Sequence, residues 1–140
     1  MAKIEASVQI HASLDKVWGI VSDIDNEPKF WKGTKEVRNI SKEDNHIIRE
    51  VTIAFKDSKC MQEVTIFPKE KINILFTKGI ISGTKTITVQ PQDDLIQLSA
   101  VWDIKLSGMM RMFTGMVKKH VKKGTEDALQ FIKQVAEESN

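Results

Sequence analysis

The sequence predicts an α+β fold in the order β-α-α-β6-α, a curved seven-stranded antiparallel sheet wrapped around a long C-terminal helix. Three patterns predict it: strict alternation of apolar and polar residues at the start, β-branched runs punctuated by turn clusters in the middle, and apolar recurrence at three and four at the end.

The opening run KIEASVQIH puts Ile4, Ala6, Val8 and Ile10 on one face and Glu5, Ser7, Gln9 and His11 on the other, the mark of a half-buried strand. Ser13 stands where an N-cap belongs, ahead of Leu14, Val17, Trp18 and Val21 at helical spacing. Asn26 and Pro28 signal a second, short helical turn ending near Trp31. From 34 to 106 the period returns to two, broken by SKEDN, KDS, PKEK, KGIISG and QPQDD, which predicts six strands joined by tight connections. From 109 to 137 there is no proline, and Phe113, Met116, Val117, Val121, Ala128, Phe131, Ile132 and Val135 recur as on one amphipathic helix. That helix is the only element long enough to cover one face of the sheet.

A chain of 140 residues, 41% hydrophobic and 29% charged, fits one domain spanning 1–140. Its net charge of +2 gives no field that would gather a polyanion, so nucleic acid is not an expected partner. A lone Cys60 permits no internal disulfide, no basic and apolar leader precedes the first strand, and no apolar run nears the roughly 20 residues of a membrane span; a soluble, cytoplasmic protein is expected.

The run VQIHASLDKVWGIVSDIDNEPKFWKG carries a family likeness: Ala-Ser ahead of the helix, Val17-Trp18 within it, Asp23 near its end, then Pro28, Phe30, Trp31 and Gly33. With the element order, it resembles the helix-grip proteins of the START-like, or SRPBCC, superfamily, nearest to the small polyketide cyclase and coenzyme-Q-binding branches. The segment KGIISGT lacks the glycine-rich loop of the birch-pollen-allergen branch. The resemblance implies a deep cavity between sheet and C-terminal helix that takes an apolar or amphipathic small molecule.

Turn positions suggest which side chains face that cavity. If KDS closes a tight hairpin with Phe55 opposite Cys60, then Val51 meets Val64, Ile53 meets Gln62 and Arg49 meets Ile66. Across PKEK, Ile66 meets Ile72, Val64 meets Ile74 and Gln62 meets Phe76; across QPQDD, Val89 meets Ile96, Lys85 meets Ala100, and Trp102 lies beside Gly83. Val37 and Ile40 fall on opposite faces, which suggests a bulge between them.

Arg49, Gln62 and Lys85 thereby land on the apolar face. Either they snorkel at strand ends, or they orient the polar end of a mostly apolar ligand. Phe30 and Trp31 either cover the cavity mouth or tuck under the sheet edge. On the last helix, Phe113, Met116, His120, Gly124, Phe131 and Val135 share one side in an ideal projection, with Lys118, Lys119, Lys122 and Lys123 opposite. Met112 and Met116 are adaptable enough to form a pocket wall, although such a stripe also suits plain core; His120 reads as a core-edge residue.

No metal site or cofactor is signalled, because His11, His46 and His120 lie in separate elements, Cys60 has no partner, and Gly79 and Gly83 form no phosphate loop. No catalytic residue is assigned. The leading expectation is a binding or carrier protein for a lipid, quinone or polyketide-like molecule. An aromatase or cyclase-type enzyme, with Arg49 or His120 handling protons, is the alternative. A domain that docks on membrane or a partner through the lysines is the third reading, and the oligomeric state is not legible.

Overall fold

The computed structural model describes residues 2–138. Strand β1 (Ala2–Ile10) leads into helix α1 (Leu14–Val21), a 3-10 turn (Ile24–Asn26) and the four-residue helix α2 (Glu27–Phe30). Strands β2 (Thr34–Glu43), β3 (His46–Ile53), β4 (Lys59–Phe67), β5 (Lys71–Lys78), β6 (Ile81–Gln92) and β7 (Leu95–Leu106) follow, with a 3-10 turn (Phe55–Asp57) between β3 and β4. A longer 3-10 turn (Gly108–Phe113) runs into helix α3 (Thr114–Glu138). The sheet order is β1-β7-β6-β5-β4-β3-β2, with every pairing antiparallel, so the first strand closes the far edge beside the last. No described helix is long and apolar enough to cross a membrane.

Local chemistry sets the boundaries. Ser13 caps α1, its hydroxyl accepting from the Lys16 N–H at 3.2 Å. The expected irregularity of β2 is present: its register on β3 shifts between Thr34 and Glu36 and again between Asn39 and Ser41, leaving Val37 half-buried and Ile40 exposed.

The pairing of β4 with β5 is as expected, Ile66 opposite Ile72, Val64 opposite Ile74 and Gln62 opposite Phe76. Two other registers differ. Val51 lies opposite Cys60, not Val64, and Arg49 opposite Gln62, not Ile66. The cause is the turn: Phe55 leaves the strand, Lys56 and Asp57 take left-handed φ of 56° and 51°, and the Ile53 N–H donates to Ser58 O at 2.8 Å to close the loop. Likewise Asp93, at φ 54°, makes a tighter turn than QPQDD suggested, so Val89 pairs with Leu98, Lys85 with Trp102 and Gly83 with Ile104. Both displacements are even, and side chains alternate with period two, so every residue that stays in a strand keeps its face.

The concave face is buried throughout, from Ile47, Val51 and Val64 through Ile72, Ile74 and Ile87 to Leu98 and Ala100. Helix α3 packs chiefly along β1, with α1 and α2 beside it. Its buried residues are Val117, Thr125, Ala128, Leu129, Ile132 and Ala136. This stripe is one residue, or about 100°, away from the expected face. Of the expected face, Phe113 belongs to the 3-10 turn and not to α3.

Candidate functional site

Helix α2 is too short to be stable alone, yet it places two side chains with purpose. Pro28 stands in its first turn, and the Trp31 N–H closes it on Glu27 O at 2.8 Å. Glu27 and Trp31 are therefore one turn apart on one face, and both are buried beneath the sheet.

Glu27 meets Arg49, which reaches down from β3 with no exposed surface. Arg49 Nη2 donates to Glu27 Oε1 at 2.6 Å, Nη1 to Ile24 O at 3.2 Å and Nε to Gln62 Oε1 at 2.8 Å. Gln62 lies directly opposite on β4, so the observed register makes this last bond. The other Glu27 oxygen accepts from Thr34 Oγ1 at 2.7 Å. Charge and hydrogen bonds are thereby matched around a guanidinium that could not otherwise be buried.

The second buried cation is different. Lys85 lies opposite Trp102, and its Nζ is 3.4 Å from the Trp31 ring centroid and 4.7 Å from that of Trp102. No ion pair within 4 Å joins it to Glu27 among the described residues. Two indole faces, rich in π electrons, supply its nearest stabilisation. Trp102 is in turn fixed from above and beside: its Nε1–H donates to Thr125 Oγ1 of α3 at 3.0 Å, and its ring stacks on Phe76 at 6.2 Å. Gly83 lies between these rings on the inward row of β6, with φ at 116°; a Cβ there would stand 2.1 Å from Asp103 O. Only glycine lets β6 and β7 approach this way.

The titration of the cluster follows from its geometry. Burial pushes the Glu27 carboxyl up, but Lys85, Arg49 and the bonds from Arg49 and Thr34 together hold it at about 2. Burial lowers Lys85 to about 8; Glu27 opposes this and Arg49 adds to it. The two shifts have the same sign although the groups attract each other, because burial outweighs the pull of Glu27 at Lys85, whereas at Glu27 two cations and the hydrogen bonds outweigh burial. Burial also pushes the Cys60 thiol up.

Of the residues singled out by sequence, Trp31, Arg49, Gln62, Phe76, Lys85 and Trp102 come together here. Phe30 is half-buried and packs its ring on Phe131 at 5.0 Å, at the side of α3. Phe113 is half-buried at the other end of the sheet, 6.3 Å from the Phe55 ring. Met112, Met116 and His120 do not line the interior: all three are exposed, Met112 by 75%, because the buried stripe of α3 starts from Val117. Glu27 was missed, as were Thr34 and Thr125. Two cations on an apolar face were a signal that a carboxylate must lie opposite, although not which one.

Recesses open at the end of the sheet where the 3-10 turn Gly108–Phe113 enters α3. One of about 500 Å³ is lined by Ala2, Ile104, Lys105, Leu106, Arg111, Met112 and Thr114. Another, of about 280 Å³, adjoins it at Ser82, Ser107 and Gly108. Beneath the sheet, rings and charged groups fill the region in which the resemblance implies a cavity.

A family described as "Polyketide cyclase / dehydrase and lipid transport" matches residues 1–137. Among solved structures, a protein from Thermus thermophilus is similar with a TM-score of 0.81 at 12% identity, covering 95% of this chain and 95% of its own. The ZhuI aromatase/cyclase from a Streptomyces species superposes with a TM-score of 0.77 at 12% identity, covering 99% and 98%. A START superfamily protein from Mycobacterium smegmatis does so with 0.66 at 17%, covering 93% and 98%. At such identities the likeness is one of fold. No curated protein matches the chain in sequence.

Proposed function

Because the chain belongs to the polyketide cyclase/dehydrase and lipid transport family, we propose that it acts as a single START-like domain, 1–140, that binds or carries a hydrophobic or amphipathic small molecule. The ligand, lipid-like, quinone-like or polyketide-like, enters between sheet and α3 and turns its polar end to Lys85 and Arg49.

The observation that carries this reading is the unbalanced charge of the interior. Two cations, Arg49 and Lys85, share one carboxylate, and Glu27 gives that carboxylate to Arg49. Among the described residues Lys85 keeps indole faces as its close partners. A carboxylate, phenolate or carbonyl oxygen brought by a ligand would complete its shell, while Trp31, Trp102 and Phe76 would flank the apolar part. Entry parts the first turns of α3 from the sheet, where Val117 and half-buried Val121 pack and Thr125 holds Trp102, whereas Ala128 to Ala136 stay packed.

Native mass spectrometry of the purified protein followed by solvent extraction tests the reading first. A co-purifying apolar molecule supports it. Titration with cis-parinaric acid and its methyl ester tests the polar contact: Lys85→Met should weaken binding of the acid about tenfold and leave the ester nearly unaffected. An empty protein that binds neither probe rejects the proposal.

A further inference from the structure

The 3-10 turn Gly108–Phe113 divides its side chains in a way that the interior does not explain. At three residues per turn, positions i and i+3 eclipse. Met110 and Phe113 make one such pair, half-buried against Ile81, Leu106 and Val117. Met109 and Met112 make the other, and they are 83% and 75% exposed. Met116, one α-turn after Met112, is 44% exposed and extends the same apolar ridge. The turn is anchored on one side, with three large flexible apolar side chains held out in water on the other.

Along this stretch of the chain the charge has one sign. Between Asp103 and Glu126 the chain has no carboxylate and six cations: Lys105, Arg111, Lys118, Lys119, Lys122 and Lys123. Lys122 and Lys123 face Glu126 and Asp127, but the ion pairs among the described residues include no carboxylate for Lys105, Arg111, Lys118 or Lys119. Lys119 and His120 follow Met116 by three and four residues on the exposed side of α3, and Lys56 lies 5.7 Å from the Phe113 ring. The 500 Å³ recess opens directly behind Met112, with apolar Ile104 and Leu106 in its wall and Lys105 and Arg111 beside them.

We propose that this end of the molecule docks on an anionic lipid surface, with Met109, Met112 and Met116 entering the apolar boundary and the surrounding cations lying among the headgroups. Charge complementarity selects this occupant. A second copy in an isologous contact would bring the same cations together, and no carboxylate of this stretch could offset them. The inference stands whether or not the interior holds a ligand.

The test is co-sedimentation with vesicles of phosphatidylcholine alone and of phosphatidylcholine with phosphatidylglycerol. The wild type should partition onto the mixed vesicles only, and added salt should release it. Met109→Ser with Met112→Ser should weaken partitioning by about tenfold or more. Lys118→Gln and Lys119→Gln should each weaken it roughly fivefold. Both pairs of variants should melt as the wild type does, because all four side chains are exposed. Equal adsorption to both vesicles, adsorption to neither, or unchanged binding by the methionine variant overturns the proposal. So does a dimer in gel filtration that Met109→Ser with Met112→Ser splits, which would give the ridge to a second copy.

Discussion

Glu27 and Arg49, 22 positions apart in sequence, meet at 2.6 Å with neither side chain more than slightly exposed. The pair ties the shortest helix of the fold to the middle of β3, and it fixes where Trp31 stands over Lys85.

Removing one partner should cost more than removing both. Glu27→Gln leaves two buried cations without a carboxylate and should destabilise by about 3 to 5 kcal/mol. Glu27→Gln combined with Arg49→Met should recover most of that loss in urea unfolding. Additive losses in the double variant would mean that the pair is not coupled.

Acid should act through Glu27. Its folded pKa of about 2 lies below the ordinary 4.5, so its stabilisation is complete above 4.5 and is lost as pH falls through about 2. The shift corresponds to stability on the order of 3 kcal/mol. Unfolding at pH 6 and pH 3 should show the loss in wild type and a smaller one in Glu27→Gln.

Alkali should act in the opposite sense through Lys85. Its folded pKa of about 8 lies below 10.5, so the folded state gives up the proton first and stability rises between about 8 and 10.5. Lys85→Met should abolish that rise. Fluorescence of Trp31 and Trp102, 3.4 Å and 4.7 Å from the ammonium, should titrate near pH 8 in wild type and not in Lys85→Met.

Gly83→Ala should destabilise by about 1 to 3 kcal/mol or more, since φ is 116° and the new Cβ would meet Asp103 O. Gly124→Ala should do the reverse. It lies within α3, a Cβ there meets nothing within 4 Å, and about 0.5 to 1 kcal/mol of stability should be gained in thermal unfolding. A neutral Gly83→Ala would show that β6 and β7 can separate there at no cost.

The faces of the strands were legible because alternation survives an even slip: Arg49, Gln62 and Lys85 are buried although the β3–β4 and β6–β7 registers are displaced from those the turns suggested. The partners were not legible, since they depend on turns in which Lys56, Asp57 and Asp93 adopt a backbone that non-glycine sequence does not announce. Glu27 was hidden for another reason. A four-residue helix has no periodicity, and only tertiary contact decides that its carboxylate turns inward. The methionines misled because the buried stripe of α3 starts at Val117, one position on from Met116, and because Met112 sits in a 3-10 turn whose inward pair is Met110 and Phe113.

The lacing of β1 to α3 bears on how the chain reaches this state. Lys122 donates to Glu5 O, Lys133 to Gln9 O at 2.6 Å, and the His11 N–H to Glu137 Oε2 at 2.9 Å, while Val8 pairs with Leu98. The earliest strand to be synthesised has no neighbour in the sheet until β7 exists, and no cover until α3 does. Its alternating face, Ile4 to Ile10, therefore stays an unpaired template through most of synthesis, and closure of the fold is a late, long-range search. The charged residues Lys3 and Glu5, alternating with that face, keep the waiting strand from finding a stranger instead.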